Sequence, residues 1–171
     1  MYETRFPDPL GYGTGLNRFS DPTGKAFGLI YLGSSAKVVF VETILRDRAD
    51  GRGTTCVVEY GEIEKRSLAS IVTVEALVLV DLTGDGPLRM GIPSDVVGAR
   101  DQSLAQRWSV AFHDHSEEPD GVLYPSRLNK ELCIVLYSRA LRKLKATATP
   151  LLVDCGAELA AILDDLDLAI V

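Results

Sequence analysis

Four polar residues stand beside apolar sequence, where their side chains could serve chemistry. Arg18 lies in a polar loop before a Pro-Thr-Gly turn, Tyr31 lies near the end of a short apolar run, and Ser126 follows another such run. Glu42 is the one carboxylate in the apolar segment 36–46. Burying an unpaired carboxylate costs on the order of several kcal/mol. Glu42 must therefore be paired or be used.

Each of these residues also has a purely structural interpretation. Glu42 could pair with an arginine to stabilise the fold, and Tyr31 could be a core aromatic whose hydroxyl is satisfied. Ser126, after Pro125, could simply be a turn residue. Taken alone, the residues indicate only a polar site near Arg18 and Glu42. The usual glycine loops for nucleotides, the zinc motif His-Glu-x-x-His and the Gly-x-Ser-x-Gly elbow do not occur in the sequence.

The composition predicts a soluble protein without a broad nucleic-acid surface. The 171 residues are enough for one domain, 1–171, with its own core. The net charge of −6 argues against direct DNA or RNA binding, for which a basic surface is expected. An anionic small molecule stays possible, because one or two arginines in a cleft set the local field. His113 and His115 are expected at the surface near a helix end, so no metal site is predicted.

The cysteines and the hydropathy favour a cytoplasmic location. Cys56, Cys133 and Cys155 form no C-x-x-C pair and lie in or beside apolar runs, as is typical of reduced, buried thiols. The chain does not begin with a signal-peptide pattern. No apolar run approaches the roughly 18 residues that span a membrane.

The candidate residues need elements to hold them, and segment 36–46 is the ambiguous one. Its Val-Val-Phe-Val run has strand propensity. As a helix, however, it places Val38, Glu42 and Leu45 on one face. Ser34 or Ser35 would then be the N-cap. We interpret Ala36 to Arg46 as a helix.

Elsewhere strands outnumber helices, and the two do not alternate regularly. This pattern predicts an α+β fold with a compact mixed β-sheet core flanked by short helices. Ser103 to His113 is the clearest amphipathic helix, with Leu104, Trp108 and Ala111 on its apolar face and Phe112 at the edge of that face. Shorter helices are expected over 88–97, interrupted at Pro93, and over 157–163, and a turn-rich loop over 47–54. Strands are expected over 27–32, 55–60, 122–124 and 132–137, with two more within 66–82.

The order of several motifs resembles the RES-domain family, named after its Arg, Glu and Ser, which comprises toxins of bacterial toxin–antitoxin operons. The similar stretches are GLNRFSDP, FGLIYLGSSAKVVFVETILR, LVLVDLTG, RWSVAFHDH, DGVLYPSR and LCIVLYSRA. They cover most of the chain. Many members have a Gly-Gly-Arg-Trp-like stretch around the first arginine, where this chain has Asn17-Arg18-Phe19. In this it looks more like a compact subgroup that includes a protein ADP-ribosyltransferase.

The resemblance implies an enzyme that consumes NAD as a substrate, without a metal, on a fold akin to ADP-ribosyltransferase toxins. Arg18, Glu42 and Ser126 would be catalytic, and these three with Tyr31 would bind NAD. Arg18 suits the pyrophosphate, Glu42 the ribose and its developing positive charge, and Tyr31 the nicotinamide ring. Ser126 would orient Glu42 or bind the ribose or a phosphate. No histidine is an evident base that would make it a nucleophile.

The resemblance also implies a cognate Xre-type antitoxin that forms a hetero-oligomer with the toxin. The acceptor of ADP-ribose is left open between a protein, water and phosphate. The competing hypothesis is a non-catalytic interaction module, suggested by the aromatic segment with Tyr2, Phe6 and Tyr12 and by the apolar tail 166–171. Convergence of Arg18 and Ser126 with Glu42 on one pocket would favour the enzyme, and a separation beyond about 10 Å the module.

Overall fold

The structure, a computed structural model, describes residues 1–46 and 57–171. Within these ranges the strands are β1 (Tyr2–Glu3), β2 (Leu29–Gly33), β3 (Val57–Val58), β4 (Arg66–Ser67), β5 (Ser70–Thr73), β6 (Leu79–Asp81), β7 (Gly121–Pro125), β8 (Leu132–Tyr137), β9 (Leu144–Ala148) and β10 (Ala169–Ile170). The α-helices are α1 (Ala36–Phe40), α2 (Tyr60–Glu64), α3 (Gly86–Met90), α4 (Asp95–Gly98), α5 (Ser103–His113) and α6 (Gly156–Asp165). A π-helical turn spans Val41–Leu45, and 3₁₀ turns span Ser138–Lys143 and Leu152–Asp154. The predicted α+β class is confirmed.

The main sheet has four strands in the order β2-β8-β7-β6. β8 pairs antiparallel with both β2 and β7, and the register sets Tyr31 opposite Val135 and Tyr124 opposite Cys133. β6 runs parallel to β7. A parallel neighbour needs a long crossover connection, and α3, α4 and α5 supply it. Gly121 allows close strand contact, because a Cβ there would lie 2.1 Å from the Val135 carbonyl oxygen.

The largest apolar cluster lies between this sheet and the crossover helices. It buries Phe19 completely, together with side chains from β2, β7, β8, α4 and α5. The bounds of α5 agree with the prediction, and its predicted face is correct in part, since Leu104 and Trp108 pack against this cluster. Ala105, Ser109 and Phe112 point inward, whereas Ala111 is exposed. The inward Ser109 is tolerated because its hydroxyl donates to the Phe19 carbonyl oxygen at 2.6 Å.

The helix over segment 36–46 is confirmed, in two parts. Ser35 is the N-cap, and its Oγ accepts a hydrogen bond from the Val38 N–H at 3.0 Å. The α-helical hydrogen bonding of α1 then gives way to the π-helical turn at Val41. A π-helical turn has more residues per turn than an α-helix and is frequent at functional sites. It carries Glu42.

A second apolar cluster packs α1 and the π-helical turn against α2, the Leu152–Asp154 turn and α6. A third fills the opposite face of β2 and β8 towards β5 and β9, which form a separate antiparallel pair. In the described ranges, no helix is long and apolar enough to cross a membrane.

The tail of the chain and the strand before α2 differ from the sequence interpretation. The tail pairs within the chain, since β10 lies parallel to β3. The strand predicted over 55–60 is described only from Val57, and its last residue, Tyr60, instead begins α2. The loop predicted over 47–54 and Cys56 lie outside the described residues.

Candidate active site

Glu42 and Ser126 are in direct contact. The Ser126 hydroxyl donates to Glu42 Oε1 at 2.6 Å, and the serine is completely buried. The same Oγ accepts from the Leu128 N–H at 3.1 Å and from the Asn129 N–H at 3.4 Å. A hydroxyl has one proton to donate. Because backbone N–H groups occupy its lone pairs, that proton is committed to the carboxylate.

The elements around this pair leave the carboxylate accessible while they fix its backbone. Val41 and Ile44, on either side of Glu42, are buried in the second apolar cluster. Glu42 itself is half-buried and lines a cavity. Ser126 follows β7 directly, at the start of the loop that leads back into β8. The pair therefore joins two separate parts of the fold, 84 residues apart in sequence.

Arg18 lies in a loop that is anchored by its neighbour. The Phe19 N–H donates to the Tyr31 hydroxyl at 3.1 Å, and the Phe19 ring packs beside Tyr124 with the ring centroids 4.9 Å apart. Arg18 Nη1 donates to the Val96 carbonyl oxygen at 3.4 Å. Tyr31 thus lines the cavity and also holds the loop that carries Arg18.

The Pro-Thr-Gly turn after Arg18 is organised by Asp21. Its carboxylate accepts hydrogen bonds from the N–H groups of Thr23, Lys25 and Ala26, at 3.0, 2.8 and 2.7 Å, and from the Thr23 hydroxyl at 2.5 Å. These bonds, the Ala26 N–H first, hold the pKa of Asp21 well below its usual value. The loop is therefore preformed.

Arg18, Tyr31 and Glu42 line a cavity of about 600 Å³. Three arginines that were not predicted to lie there also line it, namely Arg46, Arg66 and Arg127. Burial, followed by the positive charge of Arg127, lowers the pKa of Arg18. Two carboxylates, Glu3 and Glu42, face these four arginines. An anionic ligand would relieve the repulsion between the guanidinium groups.

Tyr124 and Cys133 also line the cavity, and both are held neutral. Burial, then the neighbouring Cys133, raises the pKa of Tyr124. Burial, then the charge of Glu42, raises the pKa of Cys133 to about 12. A thiol with such a pKa carries almost no thiolate and is a poor nucleophile. Cys133 is buried as predicted, and Cys155 is only half-buried.

The other predicted features lie outside this cavity. His113 and His115 do not line it; the His113 ring stacks on Phe27 with the centroids 4.4 Å apart. No group of three or more His, Cys, Asp or Glu residues that could hold a metal ion occurs within residues 1–46 and 57–171.

The structure therefore brings all four predicted site residues together. Arg18, Tyr31 and Glu42 line the cavity, whereas Ser126 does not line it but donates a hydrogen bond to Glu42. Two of the missed arginines had a signal in the sequence. Arg127 directly follows Ser126, and Arg46 lies four residues after Glu42. Arg66 comes from β4 and had none.

Comparison with known proteins bears on the family and the fold of the chain. The family described as "RES domain" matches residues 2–159. The protein named "Probable toxin y4kH" of Sinorhizobium fredii (strain NBRC 101917 / NGR234) is 42% identical over 127 residues, covering 74% of this chain and 100% of that protein. The fold is similar to a chain in the crystal structure of the M. tuberculosis MbcT-MbcA toxin-antitoxin complex, with a TM-score of 0.61 and 22% identity, covering 84% of this chain and 76% of that one.

Proposed function

The chain belongs to the RES-domain family, and from this premise we propose that it is the toxin of a bacterial toxin–antitoxin pair. Its activity is to bind NAD and to cleave the bond between nicotinamide and ribose. One observation carries the proposal: Glu42, hydrogen-bonded by Ser126 at 2.6 Å, lies in a cavity shared with four arginines.

The side chains of the cavity have the chemistry that NAD requires. Its pyrophosphate is a dianion, and the planar guanidinium of Arg18 suits such a group. Arg66 also lines the cavity, and its Nη1 lies 3.7 Å from Glu3 Oε1. The cavity volume falls within the usual range for small-molecule sites.

Glu42 has the charge that the cleavage needs. When the carbon–nitrogen bond breaks, nicotinamide leaves with the bonding electron pair and becomes neutral, and positive charge develops on the ribose, as in glycoside hydrolysis. A fixed carboxylate stabilises that charge. The acceptor oxygen then bonds to the same ribose carbon and loses its proton. The hydrogen bond from Ser126 to Oε1 fixes the orientation of the Glu42 carboxylate, and the Tyr31 ring would stack on nicotinamide.

The acceptor of ADP-ribose is a protein, water or phosphate, and each gives a distinct product. Water gives free ADP-ribose, phosphate gives a phosphorylated ADP-ribose, and a protein gains the mass of ADP-ribose. Mass spectrometry of the reaction mixture, with and without phosphate and with cell lysate as a source of proteins, separates these three outcomes.

The proposal is tested by incubating the purified protein with NAD and following nicotinamide release. Wild type should release nicotinamide, and Glu42→Ala should lower kcat by about 100-fold or more. Glu117→Ala, which removes an exposed carboxylate outside the cavity, is the control and should retain full activity. Absence of release by wild type, or equal release by Glu42→Ala, refutes the proposal.

Arg18→Ala tests the binding role with a readout besides activity. Calorimetry should show weaker NAD binding to this variant, because a cavity-lining guanidinium is lost. Arg142→Ala is the matched control, since this arginine is exposed and lies outside the cavity lining. Equal NAD affinity for wild type and Arg18→Ala would contradict the assignment of Arg18.

The partner that we propose is a cognate Xre-type antitoxin, which would neutralise the toxin by covering the cavity. The similar fold in the MbcT-MbcA complex and the similarity to a probable toxin support an antitoxin partner. Co-expression with the protein encoded next to this chain should give a complex on gel filtration and should abolish nicotinamide release. Unchanged release from an isolated complex would contradict this mode of inhibition.

The structure supports the non-catalytic module less well. Two of the features that suggested it have structural roles, because Tyr2 lies in β1 and the tail pairs with β3 through β10, whereas Phe6 and Tyr12 are exposed. Convergence of Arg18, Glu42 and Ser126 around one cavity was the observation expected of the enzyme.

A further inference from the structure

Glu131 lies at a junction between the two halves of the site. Its Oε2 accepts a hydrogen bond from the Ser35 hydroxyl at 2.5 Å, and Ser35 is the N-cap of α1. Its Oε1 accepts from Asn129 Nδ2 at 3.1 Å and lies 3.9 Å from Lys37 Nζ. Glu131 does not line the cavity. Each oxygen of its carboxylate nevertheless holds a separate segment of the chain.

The main chain of Glu131 closes the loop that begins at Ser126. The Glu131 carbonyl oxygen accepts from the Ser126 N–H at 2.7 Å, and the Lys130 N–H donates to the Ser126 carbonyl oxygen at 3.1 Å. Asn129 is bonded on both sides, because its Oδ1 accepts from the Glu131 N–H at 3.2 Å. The loop is therefore closed around Ser126, and Glu131 is its last residue before β8.

Glu131 therefore contacts both the segment that carries Glu42 and the loop that carries Ser126. Through Ser35 it holds the start of the helical segment that carries Glu42, seven residues further along the chain. Through its main chain and Asn129 it holds the loop of Ser126. The Ser34 N–H, which donates to the Leu132 carbonyl oxygen at 3.0 Å, adds a main-chain bond between the same two segments.

We propose that Glu131 is a positioning residue that sets the alignment of Ser126 with Glu42 by joining the Ser126 loop to the N-cap of α1. This inference rests on the proposed function. Misplacement by about 1 Å can lower a rate by about 100-fold. Among the described residues, the side-chain partners of Glu131 are Ser35, Asn129 and Lys37, and not the arginines that would bind the anionic part of NAD. Loss of Glu131 should therefore lower kcat and leave NAD affinity largely unchanged.

The test compares variants of the full chain in nicotinamide release and in NAD binding by calorimetry. Glu131→Ala should lower kcat about 10- to 100-fold, with KM and the calorimetric Kd within about twofold of wild type. Glu131→Gln keeps an oxygen that can accept from Ser35 but turns an amide N–H toward Asn129 Nδ2, so its kcat should lie between those of Glu131→Ala and wild type. Ser35→Ala removes the same bond from the other side. If the bond is the means of action, the double variant Ser35→Ala/Glu131→Ala should lose no more than the worse single variant.

The matched control is Asp165→Ala. Asp165 forms an ion pair with Lys37 near the same end of α1, and its removal leaves the bond from Ser35 to Glu131 intact. Its kcat should equal that of wild type. A folded Glu131→Ala protein with wild-type kcat would overturn the inference. So would additive losses in the double variant, or a Glu131→Gln protein as impaired as Glu131→Ala.

A measurement without NAD separates this inference from the proposed function. Hydrogen exchange should be faster at the amides of Leu128 and Asn129 in Glu131→Ala than in wild type or Asp165→Ala, because these amides donate to Ser126 Oγ. Equal exchange in the three proteins overturns the inference. If wild type releases no nicotinamide, the proposed function fails, and the exchange rates still decide whether Glu131 holds the loop.

Discussion

Ser126→Ala removes the hydroxyl that donates a hydrogen bond to Glu42 Oε1. The variant deletes the bond from Ser126 Oγ to the carboxylate, at 2.6 Å, and takes an acceptor from the Leu128 N–H, at 3.1 Å. Hydrogen bonds to charged groups contribute about 1.5–3 kcal/mol. If the variant must supply this free energy to place the Glu42 carboxylate correctly in the transition state, kcat falls by about 10- to 150-fold, since about 1.4 kcal/mol is a factor of ten.

The effect of the same change on stability is smaller. Glu42 is half-buried, so water can replace part of the lost bond. The Leu128 N–H adds about 1 kcal/mol for its lost acceptor. We expect the free energy of unfolding to fall by about 1–2 kcal/mol. The two quantities are separable, because urea denaturation measures stability and nicotinamide release, assayed far below the urea midpoint, measures kcat.

Ser67→Ala is the matched control for Ser126→Ala. Ser67 is also a buried serine, its hydroxyl meets the Thr4 hydroxyl at 3.2 Å, and it does not line the cavity. It should lose about 1 kcal/mol of stability and retain wild-type kcat. The reasoning is refuted if Ser126→Ala, shown to be folded, keeps kcat within about twofold of wild type, because the bond to Glu42 would then have no part in the reaction.

Two further predictions concern the loop that carries the first arginine. The hydrogen bonds from Ala26 and Thr23 lower the pKa of Asp21 in the folded state. The carboxylate therefore stabilises the fold above the unfolded pKa of about 4, and this contribution is lost as the pH falls below that value. Asp21→Asn should flatten the fall of the urea midpoint between about pH 5 and about pH 3, and an unchanged slope would contradict the role of Asp21. Tyr31→Phe keeps the ring but removes the hydroxyl that accepts from the Phe19 N–H at 3.1 Å. This variant should lower the free energy of unfolding by about 1 kcal/mol and weaken NAD binding in calorimetry. An unchanged NAD affinity would show that the hydroxyl does not position the loop.

The sequence was sufficient wherever local periodicity decides the structure. The bounds of α5 and β8 agree with the predicted segments, and Ser35 caps the helix as expected. These features depend on residues close together in the chain. The inward position of Ser109 on α5 was not predicted, for a tertiary reason. A carbonyl oxygen 90 residues away accepts its proton and lets this polar side chain face the core.

The arginine cluster could not be read from the sequence. Arg18 comes from a loop, Arg46 from just after the π-helical turn, Arg66 from β4, and Arg127 from the loop after β7. No local pattern joins four such segments, because their meeting depends on how the sheets and helices pack. The four residues taken from motif order did converge, since a resemblance to a family carries long-range information that local propensity lacks. The π-helical turn at Val41–Leu45 likewise left no trace in the apolar spacing.

The distribution of charge connects these findings to ligand choice. The chain as a whole carries a net charge of −6, yet among the described residues four arginines and two carboxylates line the cavity. The acidic exterior repels nucleic acids in general, and the basic cavity attracts an anion small enough to enter it. Within this basic lining, Glu42 is the carboxylate that Ser126 holds in a fixed orientation. A ligand suited to this cavity would carry an anionic group for the arginines and would develop positive charge near Glu42 as it reacts. The proposed substrate, a dinucleotide whose pyrophosphate would meet the arginines and whose ribose would meet Glu42, satisfies both conditions, which neither a simple phosphate nor a neutral sugar does.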